Sequence, residues 1–249
     1  SNFNGIFVWG KKDLSKYKNK VDNVDNISVT GHPKFDLLKN PYKKIFNKDV
    51  LKIKKKYKDF VFFPSHYSSD YKMDINKYKS YLRKIYPKHI NKISNQYTED
   101  KLFYLEIVGL VKTLAKKNPD KYFIFRPHPG QDIKLVKKTF GRKPKNLKII
   151  YKYTVTPWII ACDLFMHSGC TTSYEAKVLN KKIIHIYDNN YRNHWPIIGH
   201  VFKKKYGNIN YNKLQYLINN KITLKSTDIR DKIKNSIESN YFYTNFLNY

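Results

Sequence analysis

Short runs of apolar residues recur along the chain between about residue 59 and residue 190. The first run, Phe60–Phe63, contains no polar residue, which is typical of a strand buried on both faces of a parallel sheet. Further strands are predicted at Tyr122–Phe125, Leu147–Tyr151, Leu164–Met166 and Ile183–Tyr187. Because helical segments separate these runs, the pattern predicts βαβ crossovers and a Rossmann-like α/β fold with helices on both faces of the sheet.

Helical periodicity is strongest over Glu99–Asn118. One apolar stripe is formed there by Tyr104, Ile107, Val108, Val111 and Leu114, as expected for a helix that packs on a sheet. Thr98 is positioned to cap this helix, and Pro119 to end it. Shorter helices are predicted at Ile133–Thr139, Pro157–Cys162 and Thr171–Leu179. Residues 70–98 are polar and rich in Tyr and Lys, and we interpret them as an insertion.

The same pattern divides the chain into three parts. Residues 1–31 contain two apolar runs, Ile6–Trp9 and Ile27–Val29, and we interpret them as the end of a preceding domain and a linker. Residues 32–210 are predicted to form the Rossmann-like domain, and residues 211–249 an amphipathic helical tail. Since the sequence starts without Met and directly on a strand-like run, we expect it to be the C-terminal half of a larger protein.

Charge adds a candidate partner. The chain has 49 Lys and Arg residues against 19 Asp and Glu residues, a formal net charge of +30. Such an excess attracts polyanions, including anionic lipid headgroups and nucleic acid. The lysines are scattered and accompany many Asn, Ile and Tyr residues, which indicates a general compositional bias. With no zinc-finger or RNP signature, we expect no specific nucleic acid partner, and an anionic membrane surface is the alternative.

Cysteine usage and hydropathy indicate a compartment. The two cysteines, Cys162 and Cys170, do not form a disulfide framework, which favours a reducing environment. No apolar run reaches the ~20 residues of a membrane span, and no signal-peptide pattern is found. We therefore expect a cytoplasmic protein, with peripheral attachment to the inner membrane as the further expectation from its charge.

The loop after the Tyr122–Phe125 strand is the first candidate for chemistry. In open parallel sheets, ligands bind beyond the carboxyl ends of the strands. Here the chain reads Arg126-Pro127-His128-Pro129-Gly130, and the two prolines restrict the backbone around the histidine. His128 is suited to donate a hydrogen bond to a phosphate oxygen, and Arg126 to add positive charge. A histidine bonded to nearby backbone in a rigid turn is the alternative.

The loop after the Leu164–Met166 strand is the second candidate. Gly169 allows close approach of the backbone to a ligand, while Ser168, Thr171 and Thr172 offer hydroxyl groups. The following helix start presents free N–H groups to a phosphate. Ordinary N-capping by these Ser and Thr residues is the alternative.

Two further positions complete the candidate site. Glu175, about one turn into that helix, is suited to accept hydrogen bonds from ribose hydroxyls; a surface Glu favoured by the helix dipole is the alternative. The loop after the first strand contains Ser65 and His66, which are weaker candidates for the rim of the same crevice.

Several other kinds of site are missing from the sequence. It has no D-x-D or H-E-x-x-H motif, no Cys/His cluster with metal-ligand spacing, no Walker loop and no G-x-G-x-x-G. Ser168 does not lie in a G-x-S-x-G elbow, which argues against a hydrolase triad. We therefore predict chemistry without a metal and without a resident cofactor.

Three segments together resemble the bacterial surface carbohydrate biosynthesis protein family. Thr30–Asp36 corresponds to that family's T-G-N-P-R-F-D segment, with departures at His32 and Lys34, and Arg126–Pro129 matches R-P-H-P. The family's P-W-I…D…G-C-T-T…E-A segment is matched by Pro157–Ile159, Asp163, Gly169–Thr172 and Glu175-Ala176.

The layout is also similar to the donor-binding half of GT-B transferases, including bacterial sialyltransferases, capsule Kdo transferases and CDP-glycerol glycerophosphotransferases. In those families a His-Pro pair and later Ser/Thr hydroxyls hold the phosphate of a cytidine nucleotide, and the resemblance implies this role for His128, Thr171 and Thr172. It implies a glycosyltransferase of surface polysaccharide biosynthesis that uses a CMP- or CDP-linked donor and a lipid-linked or glycan acceptor. Because their N-terminal domain usually supplies the base and the acceptor site, this half alone is expected to be inactive.

Three other functions fit the same residues: a CDP-glycerol-type polyol-phosphate transferase, a UDP-sugar 2-epimerase, and a basic membrane- or nucleic-acid-binding module without catalysis. Ligand binding separates the enzymes from the module. A transferase half should bind one nucleotide specifically, whereas a basic module should bind polyanions with steep salt dependence.

Overall fold

The computed structural model describes residues 5–8, 24–67, 75–187, 199–203 and 211–219. They divide into two compact units, one with the described residues up to Lys48 and one that begins at Asp49. In the first unit the two apolar runs form β1 (Ile6–Val8) and β2 (Ile27–Val29), which pair in parallel. Trp9, placed in the first run by the sequence, lies outside the described residues.

The segment Thr30–Asp36 of the first unit ends in a single helical turn, α1 (Pro33–Asp36). His32 caps this turn, because its Nδ1 accepts a hydrogen bond from the backbone N–H of Lys34 at 3.2 Å. The departure from the family's motif at His32 therefore coincides with a local capping role.

The second unit contains a six-stranded parallel sheet in the order β5-β4-β3-β6-β7-β8. Its strands are β3 (Phe60–Pro64), β4 (Tyr122–Arg126), β5 (Leu147–Ile149), β6 (Leu164–His167), β7 (Lys182–Tyr187) and β8 (His200–Lys203). The chain starts in the middle with β3, adds β4 and β5 on one side, and then crosses to β6 on the other. The predicted parallel sheet is confirmed. Strand β8 was not predicted, because only Val201 and Phe202 form an apolar run there.

Seven α-helices are assigned in the remainder of the described chain. They are α2 (Asn47–Tyr57), α3 (Ile75–Ile85), α4 (Ile90–Lys117), α5 (Ile133–Phe140), α6 (Val155–Ala161), α7 (Ser173–Val178) and α8 (Tyr211–Asn219). Short 3-10 turns cover Val24–Asn26, Tyr42–Phe46 and Pro87–His89. The helical start of the predicted tail is thus present as α8, and residues 220–249 lie outside the described part.

Strand β3 is buried on both faces, as its sequence predicts. Val61 and Phe63 belong to a core cluster that includes the buried side of α4. Phe60 and Phe62 face the other way and pack on Trp158 of α6, with ring centroids 6.0 and 6.1 Å apart. Alternating side chains of one strand therefore contact helices on opposite faces of the sheet.

The prediction for the start of the long helix was wrong. Helix α4 begins at Ile90, and Thr98 lies inside it, where its hydroxyl donates to the carbonyl of Ser94 at 3.0 Å. The polar early turns are helical because they pack on α3, for example through Tyr97, whose ring stacks on Tyr78 at 4.1 Å. The predicted insertion is therefore a helical hairpin in its described part, residues 75–98.

Two other helix starts also differ from the predictions. Helix α6 begins at Val155, two residues before Pro157, which is compatible because the first turn of a helix has no N–H partner to lose. Helix α7 begins at Ser173 and has six residues, so Thr171 and Thr172 lie in the preceding turn. The hydroxyl-rich segment is thus a loop followed by a short helix.

Candidate functional site

The loops after β3, β4 and β6 meet at the carboxyl edge of the sheet. The backbone N–H of Ser65 donates to the carbonyl of Arg126 at 2.8 Å, which joins the first two loops. Nδ1 of His66 lies 3.2 Å from Oγ of Ser168, which joins the first and third. Strands β3 and β6 flank the point where the strand order reverses, and ligands bind at this point in open α/β sheets.

Arg126 holds the loop that follows β5. Its two terminal nitrogens donate to the carbonyls of Lys152 at 2.9 Å and Tyr153 at 2.7 Å, and its guanidinium lies 4.8 Å from the centre of the Tyr151 ring. The side chain is buried, and this burial lowers the pKa of Arg126. An arginine has five N–H donors in total, so these two bonds leave others, and the predicted contact of Arg126 with phosphate stays a prediction.

His128 is held in one tautomer by its own loop. Its Nδ1 accepts the backbone N–H of Gly130 at 3.1 Å, and its backbone N–H donates to Oε1 of Gln131 at 3.0 Å. Partial burial lowers the pKa of His128, so its imidazole is neutral near pH 7. A neutral ring that accepts at Nδ1 carries its proton on Nε2, and among the described residues none bonds that nitrogen.

The loop after β6 is shaped by Gly169, whose φ of 112° favours glycine. Its backbone N–H donates to Nδ1 of the buried His167 at 3.1 Å. Oγ1 of Thr172 lies 2.9 Å from Sγ of Cys170, and the side chain of Thr171 is exposed. In the described chain, no hydrogen bond uses the backbone N–H of Thr171 or of Thr172. Because α7 has only six residues, its helix dipole adds little to the positive potential of these loop N–H groups.

Ser168 and His66 differ in how exposed their side chains are. Ser168 is fully buried, and its hydroxyl bonds the imidazole of His66. His66 is half-buried, and its ring lies on that of Tyr67 with centroids 3.9 Å apart. Ser168 is therefore placed to orient His66, while its own predicted contact with phosphate stays a prediction.

Glu175 is a buried residue rather than a surface one, since its exposed fraction is 3%. Its Oε2 accepts a hydrogen bond from Oγ1 of Thr156 at 2.9 Å. Thr156 is the second residue of α6, so the carboxylate connects α7 to α6. The predicted contact of Glu175 with a ribose stays a prediction.

Hydrogen bonds thus link the loops after β3, β4, β5 and β6 into one connected rim. Nε1 of Trp158 contributes to it by donating to the carbonyl of Lys152 at 2.7 Å, the same carbonyl that Arg126 contacts. A rim connected in this way is fixed before a ligand arrives, which lowers the entropic cost of binding.

Sequence reasoning missed two residues of this rim, Gln131 and Thr156. Each is buried and polar, and each lies next to a motif that the sequence did identify. Gln131 directly follows His128-Pro129-Gly130, and Thr156 directly precedes Pro157-Trp158. The signal for Gln131 and Thr156 in the sequence is that each is a polar residue adjacent to a rigid motif.

A metal cluster and a membrane-spanning helix are both absent from the described ranges. No group of three or more His, Cys, Asp or Glu side chains there is arranged to hold a metal ion. No helix in this part of the chain has the length and apolar character needed to cross a membrane.

Comparison with known proteins gave structural neighbours alone. The sequence matches no protein-family model and no curated protein. The structure is similar to that of a UDP-GlcNAc 2-epimerase from Methanocaldococcus jannaschii in complex with UDP-GlcNAc and UDP, with a TM-score of 0.51 and 16% identity over 88% of this chain and 55% of that one. It is also similar to the wall teichoic acid polymerase TagF, with a TM-score of 0.50 and 12% identity over 99% of this chain and 54% of that one.

The chain therefore spans about half the length of each of these enzymes. At such low identities the likeness establishes the architecture. The reversal of strand order between β3 and β6, the helices on both faces and these neighbours agree: the chain has a Rossmann-like α/β fold of the GT-B type.

Proposed function

We propose that this chain is the donor-binding half of a glycosyltransferase in bacterial surface polysaccharide biosynthesis, and that it binds a CMP- or CDP-linked sugar. The observation that carries the proposal is the connected rim at the carboxyl edge. Among the described residues, it leaves hydrogen-bond donors unused at Nε2 of His128 and at the backbone N–H groups of Thr171 and Thr172, and phosphate oxygens accept hydrogen bonds from such donors.

The spacing of these donors suits a nucleotide. His128 follows β4 and Thr171 follows β6, and β3 lies between these two strands. Adjacent strands are ~4.8 Å apart, so the two strand ends are separated by about 10 Å. A nucleoside phosphate can extend over this distance, with phosphate oxygens at one loop and the ribose near Glu175.

The proposed chemistry follows from where charge develops. During transfer the bond between the anomeric carbon and the phosphate oxygen breaks, and negative charge grows on the departing phosphate. Donors already fixed in position stabilise that charge without rearranging. In this scheme His128 acts as a neutral hydrogen-bond donor, Thr171 and Thr172 complete the cradle, and Arg126 and Gln131 hold the His128 loop and its neighbour in place. The acceptor site and the catalytic base are assigned to the other half of the enzyme.

A UDP-sugar 2-epimerase is the second candidate. It is favoured by the similarity in fold to the M. jannaschii epimerase, whose solved structure contains UDP-GlcNAc and UDP. A polyol-phosphate transferase shares the cytidine nucleotide with the leading proposal and differs in the group transferred. The identity of the bound nucleotide therefore separates the first two functions.

Titration calorimetry with CMP, CDP, UDP and GDP tests the proposal. We expect CMP or CDP to bind most tightly, and His128→Ala to weaken that binding about ten- to a hundredfold, as for the loss of one hydrogen bond to a charged group. His89→Ala, the same substitution at an exposed turn, is the matched control and should leave affinity unchanged. If UDP binds best, the epimerase moves ahead. If no nucleotide binds, or if His128→Ala has no effect, the site is wrongly assigned.

Glu175→Gln tests the ribose contact separately. Gln keeps an oxygen that can accept from Thr156, so the link between α6 and α7 is preserved while the negative charge is lost. We expect weaker binding of nucleotides and unchanged binding of inorganic pyrophosphate, measured in the same calorimeter. An equal loss for both ligands would show that Glu175 acts by shaping the phosphate cradle.

A further inference from the structure

The hairpin formed by α3 and the first turns of α4, residues 75–98, has an unusual charge pattern. We call it the basic hairpin. It contains six basic residues and no Asp or Glu in its 24 positions. The basic residues are Lys77, Lys79, Arg83, Lys84, Lys88 and Lys92. The whole chain has 19 acidic residues beside its 49 basic ones, so the hairpin differs from it in lacking acids.

One face of α3 is used for packing within the hairpin. Leu82 is buried, and the ring of Tyr78 stacks on that of Tyr97 in α4. These contacts fix the rotation of α3 about its axis and therefore decide which residues point away from α4.

The face of α3 next to this packing face combines positive charge with exposed apolar side chains. Lys77, Tyr81, Lys84 and Ile85 follow one another at helical spacing and are all exposed. Tyr81 is 51% exposed and Ile85 is 45% exposed, and Tyr86, directly after the helix, is 52% exposed. The face therefore offers apolar contacts between cations, and the hairpin supplies no acid to neutralise them.

This combination matches the surface of an anionic bilayer. Lysine stems lie along apolar surface while their ammonium groups reach the headgroups, tyrosine is favoured at the level of the headgroups, and a short amphipathic helix lies in the plane of the interface. A nucleic acid would satisfy the lysines but would leave the aliphatic side chain of Ile85 without a matching contact. We propose that the basic hairpin docks on an anionic membrane through this face of α3.

The proposal is independent of nucleotide binding. It assigns the membrane attraction expected from the net charge to one surface, the basic hairpin. If scattered charge alone caused membrane binding, any group of exposed lysines would contribute equally. If the basic hairpin is the docking element, its lysines and its apolar residues should matter more than an equal number elsewhere.

Co-sedimentation with vesicles tests this at two lipid compositions, phosphatidylcholine alone and phosphatidylcholine mixed with phosphatidylglycerol. Replacing Lys77, Lys84 and Lys88 together by Gln should lower the partition coefficient for the mixed vesicles by at least about tenfold, since each basic residue near an anionic surface contributes several-fold. The matched control replaces Lys134, Lys137 and Lys138, which are exposed on α5, a helix with no exposed large apolar side chain. It has the same net charge and should change the partition coefficient by less than about threefold, because lipid charge is felt only within a Debye length.

A second variant separates docking from simple attraction. Tyr81→Ser with Ile85→Ser keeps every charge and removes the apolar contacts, so binding to mixed vesicles should fall about five- to tenfold. Unchanged thermal unfolding in all three variants verifies that they are folded. Equal losses for the two lysine variants, equal binding to neutral and mixed vesicles, or full binding by either hairpin variant would each overturn the proposal. So would tighter binding to RNA than to mixed vesicles under the same salt conditions.

Discussion

The two edges of the six-stranded sheet both hold polar side chains, but they use them differently. At the amino edge, Nδ2 of Asn146 lies within 2.9 Å of the carbonyls of Ala115, Asn118 and Lys121. Nζ of Lys181 donates to the carbonyls of Ile160 and Cys162. These donors bond backbone carbonyls at helix ends and strand starts, where the regular hydrogen-bond pattern stops.

At the carboxyl edge, the hydrogen bonds fix the loops and still leave donors unused among the described residues. His128 uses Nδ1 within its own loop while Nε2 remains without a partner among the described residues. The backbone N–H groups of Thr171 and Thr172 likewise enter no hydrogen bond in the described chain. The comparison teaches that a cluster of polar residues does not by itself mark a site. What marks it is hydrogen-bond capacity that remains after the loops have been fixed.

The largest effect is expected for Arg126→Met, which tests whether a rim residue also stabilises the fold. The substitution keeps the apolar stem and removes the donors to the carbonyls of Lys152 and Tyr153. Loss of these two charged hydrogen bonds should lower the free energy of unfolding by about 3 kcal/mol, measured by urea denaturation, and should also weaken nucleotide binding. Arg142→Met, at an exposed position, is the control. Weaker binding with unchanged stability would mean that the guanidinium contacts the nucleotide directly.

Asn146→Ala tests the amino edge alone. The three carbonyls would lose the side-chain amide as a donor, and within the described chain only those of Ala115 and Asn118 keep a backbone N–H, so the free energy of unfolding should fall by about 2 kcal/mol. Nucleotide affinity should not change, because Asn146 lies at the opposite edge of the sheet. Asn95→Ala on the exposed side of α4 is the control and should shift stability by less than ~0.5 kcal/mol. A loss of affinity in the Asn146 variant would show that the two edges are coupled.

A smaller effect is expected for Ser168→Ala, which removes a hydroxyl buried against His66. We expect nucleotide affinity to fall by less than about tenfold, as for the loss of one neutral hydrogen bond. If Ser168 acts by orienting His66, the two single substitutions to Ala and the double substitution should be non-additive in a binding cycle. Additive effects would indicate that Ser168 contacts the ligand on its own.

The smallest effect concerns pH. Burial lowers the pKa of His128, and Nδ1 already accepts a hydrogen bond, so we expect the neutral ring to be the form that binds the nucleotide. The neutral fraction is already high at pH 7 and rises further with pH, so CMP affinity should change by less than about twofold between pH 7 and pH 8.5. If binding required protonated His128, affinity would fall by up to about tenfold for each pH unit in this range. Calorimetry at several pH values decides between these outcomes.

Five of the six strands of the large sheet, β3 to β7, could be predicted from sequence because their signal is local. Phe60–Phe63 is apolar at every position, so it had to be buried on both faces. The positions of the loops with His128 and Ser168 could be predicted from the strands. Each loop comes after such an apolar run, and the parallel register brings both loops to one edge.

The start of α4 and the connections within the rim could not be predicted in this way. The polar residues 90–98 are helical because they pack against α3. Thr98 is a residue type that is favoured at helix caps, but it lies inside the helix. The contact of His66 with Ser168 joins positions 102 residues apart. Local patterns cannot show which distant partner a buried polar group will have.

The central position of β3 in the sheet also affects how the chain folds while it is being synthesised. It is the first strand of the six-stranded sheet to leave the ribosome, and it pairs with β4 on one side and β6 on the other. Until Leu164–His167 has been translated, the second side of the Phe-Val-Phe-Phe segment has no partner, and such an apolar strand edge is prone to pair with other chains. Nascent chains stalled between β5 and β6 should therefore be the aggregation-prone form of this protein and the form on which chaperones act.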